Sequence, residues 1–253
     1  MDEALRVLQA AGGPSLSFAE HPAGAVCFQE TGTPLPEASV EACRQADAVL
    51  LGAMGLPDVR WPDGTEMRPQ VDLRVILDLY AGVRPIYLYN ADHCPLKGYG
   101  PGDIDFVLLR ENVEGLFASM NGGIQLRGEL AVDNMVITRT GTERIAKYAF
   151  ELARQRCHER EDDRPGHVTC VDKANIFKSM AFFRQIFDEV SDAYTDVEKD
   201  HAYVDAMALY LVRRPEAYDV LVAENMYGDI LSDLAAGLVG GMGMAPSGDI
   251  GED

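Results

Sequence analysis

The sequence has few basic residues. It contains 22 Lys and Arg against 41 Asp and Glu among 253 residues, which gives a formal net charge of −19 at pH 7. Proteins bind nucleic acids and anionic membranes through basic surfaces, so this balance argues against either as a partner. An anionic substrate would have to be met by a local cluster of Arg and Lys.

Paired cysteines and long apolar runs are also missing. The five cysteines are scattered and form no Cys-x-x-Cys pair, which argues against a disulfide framework or a zinc site and favours reduced thiols. No apolar run reaches the length of a membrane span, and no signal-peptide pattern opens at Met1. We therefore predict a cytoplasmic protein with no membrane partner.

Apolar runs alternate with amphipathic segments along the chain. The unbroken apolar run 48–54 is typical of a parallel strand that is covered on both faces, and the segment 115–138, interrupted by Gly residues, is typical of hairpins. The alternation predicts an α/β fold. Further strands are predicted at 16–18, 86–89, 104–109, 167–171 and 220–223, and helices at 2–11, 39–46, 72–80, 141–157, 179–190 and 204–212.

The segment 224–238 (ENMYGDILSDLAAGL) follows the apolar strand predicted at 220–223. We predict that Gly228 makes a turn and that Asp229 caps the next helix. Asp233 lies four residues further on, so both carboxylates share one face of that helix. The pair suits a Mg²⁺ ion, which prefers oxygen ligands. A cap and a first-turn acid are the structural alternative, and the spacing alone leaves both open.

Three arginines, Arg74, Arg84 and Arg110, stand out in an otherwise acidic chain. Guanidinium groups bind carboxylates bidentately, so the set suits a substrate with two or three carboxylates. Surface ion pairs with the abundant acids are the alternative for each of them.

Lys173 and Asp205 are the remaining candidates. Lys173 directly follows a predicted strand, at the edge where open α/β sheets bind ligands, and is either a base for proton transfer or a solvated charge. Asp205 interrupts an apolar stretch, where a carboxylate needs a cation or hydrogen-bond donors.

Taken together, these motifs resemble those of the β-decarboxylating dehydrogenase family, which includes isopropylmalate, isocitrate, homoisocitrate and tartrate/malate dehydrogenases. The motifs occur in the family's order and roughly at its spacing: DLR…GVRP, REN.EG, VDKANI, YVDAMA, ENMYGDILSDLAAGL and GMAPSGDIG. The resemblance extends over essentially the whole chain. The resemblance implies a two-domain α/β fold in which helices flank the sheet. One domain would comprise 1–79 and 240–253, and the other 80–239.

The resemblance also implies a homodimer with shared active sites and a β-rich hairpin arm that pairs with the partner. Arg74, Arg84 and Arg110 would hold a di- or tricarboxylate substrate. Asp229 and Asp233 would bind Mg²⁺ or Mn²⁺ together with the partner subunit's Asp205, and Lys173, also from the partner, would take the hydroxyl proton. Asn175 and Asn225 would lie beside the nicotinamide of NAD or NADP, or beside the substrate.

The sequence departs from the family pattern in three places. Phe117 stands where the family has a catalytic tyrosine that reprotonates the enol. The family's N-terminal Gly-Asp-Gly-Ile-Gly-Pro-Glu loop and its later His-Gly-(Ser/Thr)-Ala-Pro-Asp-Ile loop are absent. We therefore expect a fragment that does not bind NAD⁺ tightly alone. A catalytically silent homologue, acting as a regulatory or metabolite-binding subunit, is the alternative to an enzyme.

The substrate is predicted from the segment before Arg74. Residues 67–72 match neither the paired leucines expected for an isopropyl group nor the Ser-x-Asn expected for isocitrate. We expect an acid like isopropylmalate or tartrate/malate rather than isocitrate. The choice between NAD and NADP stays open.

Overall fold

The structure is a computed structural model that describes residues 1–120, 122–160 and 164–252. Contacts between Cα atoms divide the chain into two units, Met1–Leu77 and Asp78–Asp253. Residues 240–252 fall in the second unit, whereas the sequence assigned them to the first domain together with 1–79. The assignment of domains in an assembled protein stays a prediction.

The first unit is helical. Its four helices are α1 (Asp2–Ala10), α2 (Ala25–Thr31), α3 (Glu37–Gln45) and α4 (Pro69–Ile76). Pro69 stands at the start of α4, where its fixed φ and missing N–H suit the first turn. Because α4 ends at Ile76, the predicted extension of this helix to Tyr80 is wrong; Tyr80 precedes a strand.

The two strands predicted in this unit, 16–18 and 48–54, do not form. Both segments are irregular, and Val49, Leu50 and Leu51 are between 43% and 47% exposed. A strand exists only where a neighbouring strand pairs with its backbone, and within residues 1–77 the structure contains no such strand. Apolar composition alone therefore predicted the wrong element here.

The second unit is built around a six-stranded mixed sheet. In chain order its strands are β1 (Ala81–Tyr87), β2 (Asp105–Glu111), β5 (Gly166–Asp172), β6 (Val197–Tyr203), β7 (Val220–Ala223) and β8 (Gly248–Ile250). Their spatial order is β6-β5-β7-β2-β1-β8. The first four in that order run parallel, and β1 is antiparallel to both β2 and β8. The predicted α/β class is confirmed.

A separate two-stranded hairpin is made by β3 (Ile124–Leu126) and β4 (Leu130–Val132). Its position agrees with the hairpins predicted in 115–138, and its residues are mostly exposed. The role of this hairpin as a dimerisation arm stays a prediction.

Four helices pack against the large sheet as two pairs, α5 (Arg139–Glu159) with α6 (Lys178–Ser191), and α7 (Val204–Arg213) with α8 (Asn225–Leu238). The core between sheet and helices is apolar and closed to solvent. Its largest fully buried side chains include Phe106, Phe150, Phe183 and Phe187. Among the described helices, none combines the length and the apolar character that a membrane crossing requires.

Strand β6 was not predicted from the sequence. It carries Glu198, Lys199, Asp200 and His201 in succession, and all four are exposed because β6 is an edge of the sheet. Charged residues are typical of edge strands, since they discourage pairing with another chain. The sequence of β6 therefore lacks the alternating apolar pattern from which a strand is predicted.

Candidate active site

The carboxyl ends of three neighbouring parallel strands meet at one edge of the sheet. In the register, Ala223 at the end of β7 lies opposite Arg110 of β2 on one side and Val171 of β5 on the other. The fold therefore brings Arg110, Lys173 and the start of α8 to the same edge. Open α/β sheets bind ligands at such an edge.

Arg110 is held by Asn225, the first residue of α8. Asn225 Oδ1 accepts from Arg110 Nε at 2.9 Å and from Nη2 at 2.7 Å, and Asn225 Nδ2 donates to the carbonyl oxygen of Glu114 at 3.1 Å. Both side chains are buried, Arg110 at 4% exposure and Asn225 at 0%. The amide therefore fixes the guanidinium, whereas its predicted contact with a cofactor stays a prediction.

The start of α8 differs from the sequence prediction. Glu224, and not Asp229, caps the helix: its carboxylate accepts from the backbone N–H of Tyr227 at 2.7 Å and of Met226 at 3.1 Å. Gly228 lies within the helix and makes no turn. A Cβ at Gly228 would lie 2.8 Å from Cβ and Cγ of Arg110, so glycine is needed there for the close approach of α8 to β2.

Asp229 and Asp233 follow in the second and third turns of α8. Asp229 forms an ion pair with Arg110 Nη1 and is half exposed, and Asp233 is exposed. Asp205 lies in α7, where its carboxylate pairs with Lys173 instead. Within the described residues, no group of three or more His, Cys, Asp or Glu side chains converges on a common point.

The donor set nevertheless fits a hard cation in part. Two accessible carboxylates separated by one helical turn supply oxygen ligands of the kind that Mg²⁺ and Mn²⁺ prefer. A complete shell needs further oxygen donors, which a single copy of the described chain does not bring to this face.

Phe117 lies against Arg110. The guanidinium carbon of Arg110 is 4.9 Å from the centre of the Phe117 ring, a distance typical of a cation–π contact. Phe117 follows Gly115, whose φ of 70° lies in the left-handed region and which packs against the carboxylate of Glu224. The ring therefore reaches the same group that Asn225 fixes, but it carries no exchangeable proton.

Arg84 extends the arginine set along β1. Its Nη1 donates to the carbonyl oxygens of Val83 at 3.0 Å and Gly248 at 3.1 Å, and both terminal nitrogens lie 3.3 Å from Asp249 Oδ1. Asn112 Nδ2 donates to the same oxygen at 2.9 Å. Sequence reasoning missed Asp249, although it stands in the GMAPSGDIG motif.

Lys173 and Asp205 form a salt bridge at the other end of the site. Lys173 follows β5 and its side chain is 22% exposed, whereas that of Asp205 is 69% exposed. The Lys173 hydrogen bond is the largest of the causes that lower the pKa of Asp205, and backbone N–H donors lower it further. Asp205 is therefore an anion that faces solvent.

Arg74 and Asn175 complete the set of predicted site residues. Arg74 is in α4 of the first unit and is half-buried, and Asn175 is exposed in the turn that follows β5. Roles for both in substrate and cofactor binding stay predictions.

Two buried carboxyl groups were not predicted from the sequence. Glu111 ends β2 and accepts from the backbone N–H of Val113 and Glu114. Burial raises the pKa of Glu111 to about 7, although these hydrogen bonds lower it in part. Burial also raises the pKa of Glu224, against the opposing effect of its two capping hydrogen bonds. Only their place in the REN and EN motifs could have drawn attention to them.

Comparisons with known proteins agree with this architecture. A family model described as isocitrate/isopropylmalate dehydrogenase matches residues 1–253. A 3-isopropylmalate/3-methylmalate dehydrogenase of Methanocaldococcus jannaschii is 40% identical over 98% of this chain and 69% of its own length. A 3-isopropylmalate dehydrogenase of Priestia megaterium is 42% identical over 91% of this chain and 62% of its own length. The chain thus spans about two thirds of the length of these relatives.

A solved structure supports the same assignment. The crystal structure of isocitrate dehydrogenase from Methylococcus capsulatus matches with a TM-score of 0.85 and 36% identity, covering all of this chain and 70% of that one. The fold is that of the β-decarboxylating class of dehydrogenases. The chain belongs to the isocitrate/isopropylmalate dehydrogenase family.

Proposed function

We propose that this chain carries the substrate and metal site of an NAD(P)-linked dehydrogenase that oxidatively decarboxylates a β-substituted malate. The observation that carries the proposal is the fixed guanidinium of Arg110 at the carboxyl edge of the sheet, held by Asn225 and adjoining Asp229. The names of the relatives favour a 3-isopropylmalate-type acid. Tartrate and malate are the next candidates, followed by isocitrate.

Arg110 is suited to bind one substrate carboxylate. Its orientation is set by a buried partner before any ligand arrives, so little side-chain entropy is lost on binding. Arg84 and Arg74 would bind further carboxylates of the di- or tricarboxylate. For Arg84 this requires exchange with Asp249, its present partner.

The metal would be Mg²⁺ or Mn²⁺, held by Asp229 and Asp233 of one copy and the partner subunit's Asp205. Such an ion would supply Lewis-acid chemistry, drawing negative charge from the oxygen atoms of the bound acid. The exposure of Asp205 and Asp233 leaves both carboxylates accessible to a second copy of the chain. A homodimer with shared active sites is therefore part of the proposal.

Lys173 would act on the partner's site as the base. Its Nζ would receive the proton of the substrate's 2-hydroxyl, and NAD⁺ or NADP⁺, when bound, would supply the hydride acceptor. The neighbouring carboxylate of Asp205 orients Nζ. Asn175, exposed beside Lys173 in the same turn, would contact the nicotinamide or the substrate.

The proposal is tested by following NADH and NADPH formation with 3-isopropylmalate, 3-methylmalate, D-malate, tartrate and isocitrate in the presence of Mn²⁺. The protein is assayed as it is and, in a second arm, joined to the remaining third of the Methanocaldococcus relative. We expect Lys173→Met and Asp233→Asn to abolish turnover and Lys178→Met, a nearby exposed lysine, to leave it unchanged. Absence of turnover with every acid in both arms would overturn the proposal.

Phe117 favours a second candidate, a catalytically silent homologue that binds a metabolite. Its ring lies on Arg110 but cannot protonate an enol. In the joined protein, Phe117→Tyr should raise kcat by at least about tenfold if the site is otherwise competent, because a general acid contributes about 10²–10⁴-fold. Phe117→Leu is the control for loss of the ring. Substrate binding with no turnover, in both the wild type and the Phe117→Tyr variant, would establish the silent alternative.

A further inference from the structure

Arg184, in the middle of α6, contacts the ends of two adjacent strands. Asp172 is the last residue of β5 and Tyr203 the last residue of β6, and the two are partners in the parallel register. The guanidinium of Arg184 binds the carboxylate of Asp172 and lies against the ring of Tyr203. One side chain therefore connects the segment that leads to Lys173 with the segment that leads to Asp205.

The contact with Asp172 fixes the turn that carries Lys173. Asp172 is fully buried and accepts from Arg184 Nε at 2.7 Å and from Nη2 at 2.8 Å. Its Oδ1 also accepts from the backbone N–H of Ala174 at 2.8 Å, which closes an Asx-type turn around Lys173. The Lys173 carbonyl then accepts from the N–H groups of Ile176 and Phe177.

The contact with Tyr203 acts on the start of α7. The guanidinium carbon of Arg184 is 5.2 Å from the centre of the Tyr203 ring, and Lys173 Nζ is 5.9 Å from the same centre. Tyr203 is the residue before α7, and Asp205 is the second residue of that helix. The orientation of the ring therefore bears on both partners of the Lys173–Asp205 salt bridge.

We propose that Arg184 is a positioning residue that sets the geometry of the Lys173–Asp205 pair through Asp172 and Tyr203. Arginine can do both at once, because its planar fork binds a carboxylate bidentately while its face stacks on an aromatic ring. Lysine keeps the charge but has neither the fork that binds a carboxylate bidentately nor a planar group that stacks on a ring. The catalytic meaning of this positioning rests on the proposed function, whereas the positioning itself does not.

The chain contains a matched control. Arg154 of α5 binds Asp196 through Nε at 2.7 Å and Nη2 at 2.6 Å, and its guanidinium carbon is 5.0 Å from the centre of the Tyr194 ring. This arginine has the same two kinds of contact as Arg184. Asp196 precedes β6, so the control lies at the amino ends of the parallel strands, whereas Lys173 lies at their carboxyl ends.

The experiment measures the initial rate of acetylation of Lys173 by a limiting amount of acetic anhydride, read residue by residue by mass spectrometry. The exposed Lys147 of α5 serves as the internal reference. We expect Arg184→Lys to raise the ratio of Lys173 to Lys147 labelling at least about threefold, because Nζ is no longer held against Asp205. Arg154→Lys should leave the ratio unchanged.

Tyr203→Leu is the second variant, because it removes the ring without leaving the buried Asp172 unpaired. It should raise the same ratio in the same direction, and it decides the question if Arg184→Lys does not fold. A folded Arg184→Lys protein with the wild-type ratio, or an equal rise in Arg154→Lys, would overturn the proposal. If Arg184→Lys does not fold, an unchanged ratio of Lys173 to Lys147 labelling in Tyr203→Leu would also overturn the proposal.

Turnover adds an independent measurement. In the protein joined to the remainder of its relative, Arg184→Lys should lower kcat about tenfold or more with little change in the KM for the acid, because the arginines that bind the carboxylates are untouched. If the wild type shows no turnover, the proposed function fails while the labelling result still decides the role of Arg184.

Discussion

Arg110 and Asn225 are joined by two hydrogen bonds to a single amide oxygen, Nε at 2.9 Å and Nη2 at 2.7 Å. One residue lies near the end of a central strand and the other begins the helix that packs on it. The geometry of the guanidinium is therefore determined by the packing of the two elements.

Replacing the amide of Asn225 should weaken the binding of a dicarboxylate by Arg110. Asn225→Ala removes the two hydrogen bonds that orient Arg110, so we expect the Kd for a dicarboxylate to rise about tenfold, equivalent to about 1.4 kcal/mol. Isothermal titration calorimetry measures the change. Thr142→Ala is the control, since it removes another buried polar side chain at the start of α5; an equal loss of affinity there would refute the specific role of Asn225.

Two glycines of α8 should respond in opposite ways to alanine. A Cβ at Gly228 would meet Arg110, so Gly228→Ala should lower the free energy of unfolding by about 1–3 kcal/mol. A Cβ at Gly237 would enter open space, with no packing atom within 4 Å, and Gly237→Ala should raise that free energy by about 0.5–1 kcal/mol through helix propensity. Urea unfolding measures both, and equal signs would contradict the close-packing explanation.

The cap of α8 gives a third prediction. Glu224 accepts from two backbone N–H groups that have no partner within the helix. Glu224→Ala should therefore lower the free energy of unfolding by about 1–2 kcal/mol, whereas Glu224→Gln, which keeps an acceptor oxygen, should lower it less. Chemical denaturation at pH 7 compares the two, and similar losses in both variants would show that capping is not what Glu224 contributes.

Glu111 predicts a dependence of stability on pH. Burial raises its pKa from 4.5 to about 7, so the folded protein holds the proton more tightly than the unfolded chain does. The free energy of unfolding should therefore fall as the pH rises from about 4.5 to beyond 7, by at most about 3 kcal/mol. Glu224, whose pKa is also raised, acts in the same direction.

Glu111→Gln has no such proton and should flatten this slope when urea unfolding is compared at pH values of about 5 and 8. Glu189→Gln is the control. Arg139 lowers the pKa of the exposed Glu189, so the contribution of Glu189 is lost only in more acidic solution and the slope over the same interval should be unchanged. A full wild-type slope in Glu111→Gln would assign the effect to another group.

The sequence predicted the elements whose signals are local. The apolar run that ends at Arg110 and the run 220–223 became central parallel strands because both of their faces are covered. The equally apolar run 48–54 did not, since a strand depends on neighbours that no local pattern specifies. The edge strand β6 was not predicted because its charged residues face solvent, so its sequence lacks the apolar pattern that indicates a strand.

Candidate residues were predicted where a charged group follows a strand, but the contacts between them were not. The link between Arg110 and Asn225 spans 115 positions, and that between Arg84 and Asp249 spans 165. Such pairs arise from the sheet order, which periodicity does not contain. The role of Gly228 was missed for the same reason: its need for glycine comes from Arg110 on another element.

Asn225, Asp229 and Asp233 occupy α8 at intervals of four residues. At a rise of about 1.5 Å per residue they span about 12 Å along a single rigid rod. Inserting or deleting one residue between them would rotate the last carboxylate by about 100° relative to the amide that fixes Arg110. Under the proposed function, a change in the length of the segment 225–233 would therefore move the two proposed metal ligands out of line with the amide that fixes the proposed carboxylate-binding arginine, so this segment should tolerate no insertion or deletion.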